Sequence, residues 1–311
     1  SADLALSELI LGGTTSLLDM GTVNHTDAIG EAVKDSGIRA FIGKCMMDLG
    51  DEVPKPMMER RDESLKESLR LQAYWDGAAE GRIRYAFCPR FAVSCTDGML
   101  RDVVAAAADV GAFIHTHASE TEYENEFTQE LYGMSNMAYL ESIGMMSDRS
   151  VFAHGVHVSH SDCTALARTG TALAHCPSAN LKLGSGIANM PQYDELGVKV
   201  SLGADGAPCN NNLDAFVEMR LAALLQKPFH GPTAMPAERV LRLATRDGAV
   251  ALGIDDITGT LEVGKMADVV VVNLDDDPGT NPGGSVYSRL VYASHRANVR
   301  HVFASGRQLV D

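Results

Sequence analysis

Short apolar runs alternate with longer amphipathic stretches along most of the chain. The runs read as strands: "TTSLLDM" (14–20), "RAFIGKC" (39–45), "IRYAFCP" (83–89), "AFIHTHA" (112–118), "SVFAHGV" (150–156), "TALAHCP" (171–177) and "VKVSLGAD" (198–205). Each is rich in Val, Ile, Ala and Phe and is bounded by Gly, Pro or a polar residue, as buried strands are. Between them lie helical patterns such as "DGMLRDVVAAAADVG" (97–111) and "SDCTALARTG" (161–170). Strand–helix alternation builds a parallel α/β sheet. Seven such units, with polar residues at the C-terminal strand ends, point to a (β/α)8 barrel of the TIM type. A doubly wound open sheet is the alternative, disfavoured because no Gly-rich phosphate loop follows the first strand.

Seven is one short of eight. The chain opens on "LALSELILGGTTSLLDM", a helix feeding a strand, so the expectation is a barrel lacking its first strand. Past Asp205 the pattern changes. "NLDAFVEMRLAALLQK" (212–227) and "PAERVLRLATRDGAVALG" (236–253) predict amphipathic helices. "GTLEVGKMADVVVVNL" (259–274) and "VRHVFASGRQLVD" (299–311) predict strands of a small β element, with "SG" (305–306) as a hairpin turn and the acidic "DDDPGTNPGG" (275–284) as the link. The expected division is a barrel over 1–255 and a C-terminal β segment over 256–311.

Charge narrows the partners. A net charge of −15 and a pI near 5.0 repel nucleic acid and anionic membrane surfaces, which leaves a small molecule as the expected partner. No apolar run approaches the roughly 18–20 residues of a membrane span. The opening "SADLALSELI" has no basic region leading into an apolar one, so it does not read as a signal peptide. The six cysteines are scattered, with no CxxC pair; Cys88, Cys95, Cys176 and Cys209 lie in or beside strand ends. They read as reduced thiols of a cytoplasmic protein. A missing barrel strand would leave unpaired edges, which is compatible with a homo-oligomer.

The candidate chemistry sits at the strand ends. In "FIHTHASE", His115 and His117 share one strand face, His117 nearer the C-terminal end where barrel active sites form. Glu120 follows on the loop. A metal-binding histidine beside a proton-shuttling carboxylate is a common hydrolytic pairing. A His-x-His alone reads equally as two satisfied core side chains. His154, His175 and Asp205 close three later strand runs. A barrel converges such groups on one axis, and a His/Asp set suits zinc or iron(II).

The segments "HTHASE", "AHGVHVS", "HCPSANLKLGSGIA" and "LGADGAPCNN", in that order, resemble the amidohydrolase superfamily. Within it they look like the branch of S-adenosylhomocysteine/methylthioadenosine deaminases, guanine deaminases and triazine chlorohydrolases. The tail "GTLEVGKMADVVVV" matches as well. The resemblance implies a metal-dependent hydrolytic deaminase of an aminated heteroaromatic ring, such as an adenosine-type nucleoside, guanine or pterin. It places the fifth-strand metal ligand on His117, the proton shuttle on Glu120, and the sixth-strand histidine, which faces the nucleophilic water or substrate, on His154. The eighth-strand aspartate, metal ligand and general base together, falls on Asp205. "CPRFAVSC" resembles the guanine deaminase segment that holds the base, so Arg90 and Phe91 are substrate-binding candidates, with His175 and Asn180 of "HCPSAN". The bland alternative pairs Arg90 with an acidic loop residue. His115 matches no family ligand.

The sequence also departs from that pattern. The family's first strand ends in a His-x-His that supplies two ligands, and upstream of residue 113 the only histidine is His25. The expectation is therefore a fragment that binds its divalent metal, zinc or iron, weakly and is inactive alone. Dechlorination of a chlorotriazine on the same site and a non-catalytic, decayed barrel are the alternatives.

Overall fold

The computed structural model describes residues 1–50, 53–280 and 284–311, so residues 281–283 of the acidic link lie outside the described part. Elements follow in the order α1 (Ala2–Leu11), β1 (Ser16–Met20), α2 (Thr26–Ser36), β2 (Arg39–Gly43), β3 (Cys45–Met46), α3 (Arg61–Trp75), β4 (Ile83–Pro89), α4 (Asp97–Val110) and β5 (Phe113–Ala118). Then come α5 (Glu122–Tyr132), α6 (Asn136–Ser142), β6 (Ser150–His154), α7 (His160–Thr169), β7 (Ala172–His175), α8 (Pro177–Leu183), α9 (Met190–Leu196) and β8 (Lys199–Leu202). The remainder is helical from α10 (Ala207–Asn210) through α11 (Ala215–Leu225), α12 (Lys227–His230), α13 (Ala237–Ala244) and α14 (Arg246–Ala251), and ends in β9 (Val269–Val272), β10 (Val299–Ala304) and β11 (Arg307–Val310).

The parallel strands pair in the order β1-β2-β4-β5-β6-β7-β8, with the two-residue β3 alongside β4. Among the described residues β1 and β8 pair with one neighbour each, so the sheet is a TIM-type barrel left open between them. Period-2 alternation splits each strand between two cores. Ile42, Tyr85, Phe87, Ile114, Phe152, Leu173 and Val200 face the surrounding helices. Phe41, Ala86, Cys88, Phe113, Val151 and Ala172 face inward, where Ala249, Ala251, Leu252 and Ile254 from α14 and its following turn pack against them. That inner cluster is the floor on which the strand-end side chains stand.

Local chemistry explains the helices that cover the sheet. Thr96 caps α4 by accepting from the Met99 amide, and the left-handed Gly111 ends it (φ +66°). Its buried positions, Met99, Leu100, Val103, Ala106 and Ala107, fall on one stripe. Ser159 and Asp162 form a capping box on α7, and Gly170 stops it.

Two stretches differ from the expectation. The helix over 236–253 is two helices, broken at Thr245 (φ −128°, ψ −97°). The Thr245 hydroxyl bonds back to the Leu241 carbonyl, a contact that bends helices. The strand over 259–274 is confined to Val269–Val272. Gly259 (φ +94°) and Gly264 (φ +97°) sit in the left-handed region and turn the chain where the apolar pattern suggested extension. The hairpin at 305–306 does form: Ser305 (φ +51°) and Gly306 (φ +79°) are both left-handed, as a two-residue hairpin turn requires. β10 pairs with β9 and β11 in a three-stranded antiparallel sheet. All six cysteines are free, and among the described residues no helix is long and apolar enough to cross a membrane.

Candidate active site

β5 carries Phe113, His115 and His117 on its inward face. Phe113 belongs to the floor, and the two imidazoles stack above it with ring centroids 6.5 Å apart. Each ring is fixed through Nδ1: His115 on the Val151 carbonyl and His117 on the Arg90 carbonyl, both at 2.8 Å. A carbonyl only accepts, so both rings donate from Nδ1 and carry their lone pair on Nε2. Burial holds both neutral. It pushes His115 down to about 4 and His117 to about 3, where repulsion from His154 and His115 adds to the effect.

His154 joins this stack from β6, its ring 5.3 Å from that of His117. Strand alternation alone would aim it at the helices, since Val151 faces the floor and Phe152 the outer core. A left-handed backbone (φ +74°) turns it inward instead. Its Nδ1 meets Asn180 Oδ1 at 2.8 Å, which leaves Nε2 at 3.5 Å from Glu120 Oε2. The other Glu120 oxygen accepts from the Ser185 hydroxyl at 2.8 Å. Glu120, His154, Asn180 and His117 are thus one connected group.

Asp205 stands across the mouth, on the loop after β8, also left-handed (φ +63°). Its charge is felt at His115 and at the Cys209 thiol. His175 is buried at the end of β7, and neither ring nitrogen has a partner among the described residues. Arg90 is exposed at the end of β4, stacked over the Phe91 ring at 5.1 Å and 3.6 Å from Met47 Sδ. Among the described residues it pairs with no carboxylate; Asp51 and Glu52 lie outside them. Phe91 in turn lies 6.2 Å from the His117 ring.

Two residues that the motifs did not single out hold this group. Ser185 steers Glu120. Glu218, buried on α11, accepts from the Ser178 amide (3.0 Å) and from Asn210 Nδ2 (2.8 Å), tying together α8 and α10, the helices that follow β7 and β8. The signal for Glu218 was present: an acidic residue on the apolar face of an amphipathic helix.

A divalent metal can be tested against these donors. In kind they fit: His117 offers a free Nε2 with its Nδ1 anchored to a carbonyl, the usual arrangement of a metal-binding histidine, and Asp205 is a carboxylate. In number they fall short. Among the described residues no three His, Cys, Asp or Glu side chains are grouped to hold an ion, whereas a catalytic zinc ordinarily has three protein ligands.

Known proteins share this architecture. Residues 1–309 match the amidohydrolase family. A 5'-deoxyadenosine deaminase of Methanosarcina acetivorans is 40% identical over 309 residues, covering 99% of this chain and 69% of that protein. A 5-methylthioadenosine/S-adenosylhomocysteine deaminase of Haloarcula marismortui is 38% identical over 310 residues, with the same two coverages. The crystal structure of an adenosine deaminase from Xanthomonas campestris with bound zinc superposes with a TM-score of 0.92 at 32% identity, over 99% of this chain and 69% of that one. On these grounds the chain belongs to the amidohydrolase family.

Proposed function

We propose that the chain carries the catalytic barrel of a hydrolytic deaminase acting on an aminated heteroaromatic ring, of which adenosine-type nucleosides are the favoured class. The carrying observation is the Glu120 carboxylate held 3.5 Å from His154 Nε2, beside a neutral His117. The deaminase names of its relatives support it.

His117 and Asp205 are the residues that would hold a divalent ion, zinc on the chemistry of the donors. When bound, such an ion lowers the pKa of a water towards 7. Asp205 takes a proton from the attacking water as oxygen approaches the ring carbon bearing the amino group. Glu120 protonates the adjacent ring nitrogen, and His154 steadies the charge that builds there. Ammonia leaves. Arg90 and Phe91, at the rim, would position the ring, with His175 and Asn180 behind it. With these two donors among the described residues, the chain would bind zinc weakly. The six free thiols fit a reducing, cytoplasmic setting.

The test is ammonia release from 5'-deoxyadenosine and S-adenosylhomocysteine by the purified protein with zinc added. Glu120→Gln should lower turnover by about 10²–10⁴-fold, the usual worth of a general acid, with zinc content unchanged. Full turnover in that variant overturns the role of Glu120. Chloride release from a chlorotriazine, without ammonia release from either nucleoside, overturns the substrate class.

A further inference from the structure

Glu124 lies on the first turn of α5, one turn beyond Glu120, and is only 1% exposed. Its Oε1 accepts two consecutive backbone amides, those of Glu120 (3.0 Å) and Thr121 (3.2 Å). The amide before them, Ser119 N, goes to Asn136 Oδ1 at 3.0 Å. Three successive N–H groups therefore turn inward onto two buried side chains. They hold a segment that strains to be there, because Ser119 is left-handed (φ +49°) without being glycine.

A glutamate at the third helical position commonly reaches back to the N-cap amide, and such caps normally sit in water. This one differs in two respects. It takes a second amide, that of the residue whose side chain meets His154. It is also buried, its other oxygen having no partner among the described residues. Burying a carboxyl in this way opposes folding, so capping α5 alone does not account for it. The Glu120 side chain and the amides of 119–121 face the carboxyl, and Thr128 donates to the Glu124 backbone carbonyl.

We propose that Glu124 is a positioning residue: by gripping the Glu120 and Thr121 amides it sets the direction in which the Glu120 carboxylate leaves the loop. Ser185 then fixes one oxygen of that carboxylate and leaves the other facing His154. The inference rests on the reading of Glu120 as the proton-transferring group.

Glu124→Asp keeps the carboxyl and draws the acceptor back by one methylene; Glu124→Gln keeps the acceptor in place. With 5'-deoxyadenosine as probe, Glu124→Asp should lower kcat by about tenfold with KM unchanged, the usual effect of misplacing a reacting group by an ångström or less. Glu124→Gln should stay within roughly threefold of the parent, since it preserves both amide bonds. In a Glu120→Gln background, Glu124→Asp should cost nothing further, because the group it positions is already disabled. A parental kcat in Glu124→Asp overturns the proposal, as does an equal loss in both backgrounds, which would mark a role in stability alone. A parental kcat in Glu120→Gln overturns the underlying reading, and is told apart because it appears without any change at Glu124. If the parent shows no turnover with added zinc, amide exchange decides. Exchange at the Glu120 and Thr121 amides faster by about tenfold in Glu124→Asp, with Ser119 and the rest of α5 unchanged, supports the proposal, and equal exchange at 120 and 121 overturns it.

Discussion

His175 offers a test in which the wild-type residue should make the protein fragile to acid. The imidazole is 1% exposed and both its nitrogens lack partners among the described residues. Burial, with a smaller push from His154, lowers it from 6.5 to about 4. The unfolded chain therefore takes up a proton at this site more readily than the folded one. The stability tied to His175 is fully present above 6.5 and is lost as pH falls towards 4. A shift of that size is worth about 3 kcal/mol, of which about 2–3 would be gone by about pH 4.5. The assay is urea unfolding of the parent and of His175→Leu at about pH 7.5 and about pH 4.5, with the two differences compared. Leucine has no proton to bind, and it removes two buried nitrogens without leaving a large void. On acidification the parent should lose about 2–3 kcal/mol more than the variant, since all other titrating groups are common to both. Equal losses would refute the reasoning, because they would mean that the ring is solvated or bonded in the folded protein.

Ser185→Ala removes the hydroxyl that donates to Glu120 and should lower kcat by about tenfold, the worth of one hydrogen bond to a charged group, with the melting temperature little changed; steady-state kinetics and a thermal melt check both. Arg90→Ala should raise KM by about ten- to a hundredfold while leaving the fold intact, as an exposed rim cation lost from a substrate contact would; an unchanged KM removes Arg90 from the binding site. Gly43→Ala should destabilise by about 3 kcal/mol or more, because a Cβ there would collide with the Ala86 carbonyl and the Cys88 sulfur; a parental melting temperature would show that the packing of β2 on β4 is looser than described.

The sheet was legible where strands are buried on both faces. "IRYAFCP" forms β4 over its full length, and "AFIHTHA" loses one residue, because a continuous apolar run leaves little choice of register or face. The pattern failed where a single residue decides. Thr245 breaks an otherwise good amphipathic period, and two left-handed glycines turn a segment whose composition says strand. The site divides in the same way. The sequence pattern put His117, His154 and Asp205 at C-terminal strand ends and Glu120 on the loop after β5, and the structure gathers them there, with Asn180 on α8 after β7. A period of two could not say that His154 points inward, since a positive φ reverses the side that alternation assigns to it. The helical period flags Glu218 as an acidic residue on an apolar face, but it names neither the Ser178 and Asn210 groups that Glu218 binds nor the Ser185–Glu120 contact, which joins segments far apart in the sequence.

Three non-glycine residues at the mouth, Ser119, His154 and Asp205, are held in left-handed backbone. Each such residue costs roughly 1–2 kcal/mol that glycine would not incur. The strand ends are therefore among the places where this protein could become more heat-resistant. A library selected only for survival at high temperature would drift towards glycine at Ser119 and Asp205. It would discard the loop geometry and the carboxylate in the same step, and robust clones from such a selection would be the ones least able to do chemistry.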